Sequence, residues 1–152
     1  MSRIASTVHA LLSCVASVIS TYYLCGLGDE CMMKPQLFRS RALAFSAGYF
    51  AYDLCVCRFL LKPDKMTLAH HFISLSGSVL SVYVGEQYPG ICLMSYFTEI
   101  STPFVNYRSM LLQGGMGATA LFKANLYAMG ALFLVFRVFF YPIGIYRLYI
   151  GY

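Results

Sequence analysis

The chain has 152 residues, of which 59% are hydrophobic and 11% charged, with a formal net charge of +5. Soluble domains average roughly 45–50% apolar and about 25% charged residues. A domain of this length leaves much of its area outside, so the apolar surplus must face lipid or a partner. The eleven Lys and Arg stand singly among apolar runs, without the dense basic stripe of a nucleic-acid binder. That class is set aside, and the scattered cations suit the flanks of membrane spans.

In chain order, residues 4–28 contain no Asp, Glu, Lys or Arg, enough to cross a hydrocarbon core that needs about 20 residues. A secretory signal has an apolar region of about 7–15 residues. This run is longer and holds His9, so a retained span over residues 8–27 is expected. The segment GDECMMKPQLFRSR, residues 28–41, reads as a polar connection with the helix breaker Pro35. A second span is expected over residues 42–61, with Asp53 and Arg58 inside it, followed by the turn KPDK. A third, residues 67–85, holds His70 and His71 and ends at the turn EQYPG. A fourth, residues 91–112, carries Glu99, Pro103, Asn106 and Arg108, with Pro103 expected to kink it. The turn QGGMG leads to a fifth, residues 118–141, which Pro142 and Gly144 then break or kink.

These elements predict an all-α fold: a polytopic membrane helical bundle of about five transmembrane helices, with sequential neighbours antiparallel. The ten-residue alternation of barrel strands is absent. Arg3, Lys62, Lys65, Arg108 and Lys123 collect on one side and Lys34, Arg39, Arg41 and Arg147 on the other, which leans the N-terminus to the cytosol. The six cysteines form no CxxC pair and read as small apolar filler; a Cys25–Cys31 disulfide would require a luminal loop.

Ionisable groups inside spans cost about 2.5–3.5 kcal/mol for a central Asp, so Asp53, His70, His71 and Glu99 carry the information. Tyr49 lies one turn before Asp53 on the same helical face, and Asp53 is placed to accept from a histidine of the third span. His70 and His71 diverge by about 100° around a helix, so they cannot aim at one point. His71 shares a face with Leu75 and Ser78. His70 shares one with Ser74 and Gly77, small residues suited to helix contact. Asn106 follows Glu99 on the same face, whereas Arg108 points about 180° away and is expected to snorkel. His9 shares its face with Ser6 and Ser13, as for a helix–helix hydrogen bond. A metal site would want histidines at i and i+4, so no metal and no cofactor is expected. No GxGxxG, Walker loop, GxSxG or HExxH occurs.

Four blocks, SRIASTVHALL, AGYFAYDL, MTLAHHFISLSG and TEISTPFVNYR, resemble the TLC-domain family in order and spacing. The resemblance covers residues 2–152 as one TLC-like transmembrane domain. It is incomplete relative to the family, starting after the family's first helix and stopping before its last, as in a short isoform or an incomplete gene model. It implies an integral, multi-pass protein of the endoplasmic reticulum or connected membranes. The implied role is membrane lipid homeostasis through lipid binding, sensing or trafficking. Membrane lipids are then the expected partners, and homo- or hetero-oligomers stay open.

The family includes ceramide synthases, which share an adjacent histidine pair matching His70 and His71 and carry a later His-Asp with a further Asp. Here that region reads LMSYFTEISTPF, with Glu99 but no histidine or Asp pair. Acyl transfer is therefore the alternative and a non-enzymatic role the favoured reading. The candidates for an enzyme are His70, His71, Asp53 and Glu99; those for a lipid-binding polar cluster are Asp53, His71, Glu99 and Asn106.

Overall fold

The structure, a computed structural model, describes residues 2–24, 37–60, 65–84, 96–143 and 146. Among these there is no strand. Helix α1 (Ser2–Val18) continues into a π-helical turn, Ile19–Leu24. Helices α2 (Leu37–Leu60) and α3 (Lys65–Val84) follow. A 3-10 turn, Phe97–Ser101, leads into α4 (Thr102–Gln113). Helix α5 (Ala120–Phe133) runs on through a π-helical stretch, Leu134–Phe140. Five helical segments thus match the expected number.

Their bounds differ from the hydropathy reading in ways that the side chains explain. α1 begins at Ser2 because Ser6 and Thr7 point into a helix contact with Asn106 and do not break the helix. α2 begins at Leu37, inside the expected polar connection, because Arg39 is fully buried and its Nε donates to Ser20 Oγ at 2.7 Å. Pro103 does not kink a helix interior. It occupies the first turn of α4, where its missing N–H would have no intrahelical partner anyway, and the 3-10 turn before it absorbs the change of pitch. Pro142 does not end α5, which stays helical through residue 143. The π-helical stretch just before it, in which the Tyr141 N–H reaches the Phe136 carbonyl, is the kind of local widening that accommodates an inserted proline. The Cys25–Cys31 loop and the EQYPG turn lie outside the described residues.

Burial is inverted relative to a soluble domain. Among the described residues, thirteen polar or charged residues are buried against six hydrophobic ones. Large apolar side chains such as Leu11, Phe72, Leu80 and Phe139 are exposed. On α2 the buried residues Arg39, Leu43, Ser46, Phe50 and Asp53 recur at alternating spacings of four and three, one stripe of a helix. The stripe that faces inward is therefore largely polar, and the outer faces are apolar. Two helices combine the length and mean hydropathy of a membrane span: residues 3–23, 21 residues at 1.6, and residues 120–143, 24 residues at 1.8.

The chain divides into two compact units, one of residues 3–15 and 94–152 and one of residues 16–93. In the first, α4 lies antiparallel to α1. Cys14 Sγ donates to the Tyr96 carbonyl at 3.5 Å, while at the opposite end Asn106 reaches Arg3. α5 is antiparallel to α4, with Asn125 Nδ2 donating to the Phe104 carbonyl at 3.0 Å. Phe97 packs with Phe136 and Phe140, at ring-centroid distances of 6.5 and 5.4 Å. In the second unit α2 and α3 form an antiparallel hairpin, and Ser20 at the end of α1 receives Arg39.

The α4–α5 turn is built from two caps. Gly115, at φ +72°, ends α4: its N–H reaches the Leu112 carbonyl and the Met116 N–H the Leu111 carbonyl, the paired bonds of a Schellman motif. Thr119 then caps α5, its Oγ1 accepting from the Phe122 N–H at 3.2 Å. Gly115→Ala must hold an L side chain in the left-handed region and is expected to cost about 1–2 kcal/mol. Gly48→Ala meets open space on a helix and is expected to be neutral or to stabilise by up to about 1 kcal/mol. Thermal unfolding in detergent checks both, with a lowered midpoint for the first only.

Candidate functional site

Asp53 and the second of the paired histidines meet across the α2–α3 hairpin. His71 Nδ1 lies 2.9 Å from Asp53 Oδ2. The ring N–H direction is off the line to the oxygen, so the contact is a close ion-pair approach and not a straight hydrogen bond. Asp53 is 2% exposed and the His71 side chain 13%. An antiparallel hairpin pairs residues equidistant from its connection, and Asp53 and His71 stand equally far on either side of Lys62. That symmetry brings them to one level.

Aromatic rings wall the pair. The His71 ring lies 6.5 Å from Tyr49 and 5.7 Å from Phe50, both on α2. His70 points elsewhere. It is exposed, and its ring stands edge-on to Phe50 at 6.4 Å and 90°. The two histidine rings remain within 5.6 Å at an angle of 56°, and His71 makes the contact with the Asp53 carboxylate. Chemically, a carboxylate beside one ring nitrogen orients an imidazole. This suits either a hydrogen-bonding wall for a polar head group or the base-and-orienter half of a nucleophilic site.

Glu99 and Asn106 belong to the other unit, and there they bond different groups. Glu99 is 7% exposed, and its Oε2 accepts from Thr102 Oγ1 at 2.7 Å. Around it Arg137 Nε donates to the Thr98 carbonyl at 3.3 Å and stacks its guanidinium on Phe133 at 5.2 Å. His9 Nε2 lies 3.2 Å from Ser13 Oγ, with its ring edge-on to Tyr96. Asn106 Nδ2 is within 3.3 Å of the Arg3 carbonyl, 3.1 Å of Ser6 Oγ and 3.0 Å of Thr7 Oγ1. It can satisfy two of these at a time, and it ties the start of α1 to α4.

Arg39 and Asn125 are buried polar residues that hydropathy alone does not single out, whereas Arg137, a charge inside the expected fifth span, is bonded to the Thr98 carbonyl. The four-and-three spacing of α2 is the signal for Arg39; an amide in the otherwise apolar start of α5 is the signal for Asn125. Among the described residues no three His, Cys, Asp or Glu converge as a metal set would. Asn106→Ala removes every α1–α4 bond made by that side chain. It is expected to lower stability by roughly 0.6–1.7 kcal/mol, the range for interhelical polar contacts in membranes, as a reduced thermal midpoint in detergent.

Comparison with known proteins agrees with this architecture. A family model described as TLC domain matches residues 1–152. TLC domain-containing protein 4-B of Danio rerio is 30% identical over 142 residues, covering 90% of this chain and 53% of that protein. The chain thus spans about half the length of this curated relative. No solved structure matches it. With helices and no strand among its described residues, polar stripes turned inward and a family model matching it from end to end, the chain belongs to the TLC-domain family.

Proposed function

We propose that the protein is a multi-pass integral membrane protein that serves membrane lipid homeostasis. It would bind, sense or move a lipid along the internal polar surface, in the endoplasmic reticulum or membranes connected with it. The observation that carries this reading is the His71–Asp53 pair, buried within a hairpin whose other faces expose Tyr52, Phe72, Ile73 and Leu80. A polar head group needs hydrogen-bonding groups at depth, and its acyl chains need an apolar surface beside them. The α2–α3 hairpin supplies both chemistries. Asp53 and His71 are the head-group contacts on this reading. Glu99 and Asn106 hold the helices of their own unit.

One observation favours a second reading, lipid acyl transfer. A histidine backed by a carboxylate at 2.9 Å is also how a general base is oriented toward a lipid amine or hydroxyl. The residues after the third helix weigh against it, because LMSYFTEISTPF supplies Glu99 without a further histidine.

The two separate experimentally. The purified full chain should carry a specific co-purifying lipid in its mass spectrum and show no turnover of acyl-CoA. His71→Ala should reduce the bound lipid severalfold while leaving helicity intact. Acyl transfer that His71→Ala abolishes in a folded protein would overturn the non-enzymatic reading, and a chain with no specific lipid would overturn both.

A further inference from the structure

We propose that the end of the first unit carrying Arg3, Arg108 and Lys123 is a binding surface for the phosphate head groups of anionic phospholipids. Cross-helix contacts set the level of all three cations. Asn106 on α4 is bonded to the Arg3 carbonyl of α1 at 3.3 Å, and Arg108 follows two residues later. The Arg108 guanidinium lies 5.9 Å from the centroid of Phe122 on α5, and Lys123 is the next residue. With α4 and α5 antiparallel through the capped turn, the three cations lie within about one to two helical turns of one another along the axis.

On the membrane reading this end lies at head-group depth. The two helices with the length and hydropathy of a span, residues 3–23 and 120–143, both run antiparallel to α4 and so start at this end, with Arg3 and Lys123 in their first turns, where basic residues flank a hydrocarbon core.

The charge there is uncompensated. Glu99 is the one acid of this unit's sequence, and along α4 it lies about 13 Å from Arg108. None of the three cations has a carboxylate partner among the described residues, and the buried Arg108 Nε has no acceptor there. Phe122 holds the guanidinium in place by a cation–π contact, while Lys123 is exposed. Tyr107, Met110, Leu112 and Leu121, all exposed, surround the cations with apolar surface. A soluble polyanion has no use for those side chains, whereas a phospholipid does: its phosphate meets the cations and its acyl chains the apolar flank.

This inference rests on the membrane reading above but not on a role in lipid homeostasis. A protein with no lipid at His71 would still show it, and its failure would leave that role standing. The test is native mass spectrometry of the full chain in detergent, titrated with phosphatidylglycerol and phosphatidylcholine of identical acyl chains. The wild type should retain phosphatidylglycerol about tenfold or more over phosphatidylcholine. Each of Arg108→Gln and Lys123→Gln should cut that preference about fivefold, the worth of one basic residue near an anionic surface. A second arm needs no variant: raising salt from about 0.05 to about 0.5 M should collapse the wild-type preference by screening. Equal retention of the two lipids, or a preference indifferent to salt, would overturn the proposal. So would displacement of the lipid by inorganic phosphate but not by chloride at matched ionic strength, which would make the site one for free phosphate.

Discussion

A bilayer core holds no water, so every polar group inside it must find its partner within the protein. That constraint organises the whole chain. A soluble domain buries apolar side chains because water rejects them. Here the apolar side chains already have a compatible solvent, and the polar ones are driven together. The buried serines of α1, α2 and α3, with His9, Arg39, Asp53, Glu99 and Asn125, are the result. Small hydroxylated residues let helices approach closely and bond across the contact, which is why the interior stripe of α2 reads Arg39, Leu43, Ser46, Phe50, Asp53.

The same constraint creates the chemistry. A lone carboxylate at the centre of a span costs about 2.5–3.5 kcal/mol, and an imidazole 2.9 Å away offsets part of that. The resulting pair is both a strut of the α2–α3 hairpin and a pre-oriented polar surface at depth. Glu99 is handled differently, with a hydroxyl from its own helix and an arginine bonded to the adjoining carbonyl. Asn106 acts purely across helices. Each unit therefore solves its intramembrane polar residues with its own contacts. On the proposed reading the His71–Asp53 pair is what meets a lipid head group in the second unit.

Much of this was legible in the residues. Apolar runs and Pro or Gly breaks located five helices, because hydropathy and helix termination are local properties. The divergence of His70 and His71 followed from helical geometry, and the equal spacing of Asp53 and His71 on either side of Lys62 encodes their meeting. The helix ends were less legible. Counting charges placed the start of α2 after Arg41, since nothing local says that Arg39 turns inward onto Ser20. Pro103 was expected to kink its span and Pro142 to break or kink its own. Whether a proline breaks a helix depends on what precedes it, a 3-10 turn before Pro103 and a π-helical stretch before Pro142. Asn106 looked like a companion of Glu99 by face alone. Its bonds to Arg3, Ser6 and Thr7 depend on a helix some hundred residues earlier, and no local pattern contains that.

The central claim is that buried polar residues hold these helices by pairing across them. A double-mutant cycle on His71→Ala and Asp53→Ala, measured as the unfolding free energy of the full chain in lipid nanodiscs, addresses it directly. The account predicts that the second substitution costs less once the first is made, with a coupling of about 0.6–1.7 kcal/mol. Losses that add within about 0.3 kcal/mol, as for sites that do not interact, would contradict it.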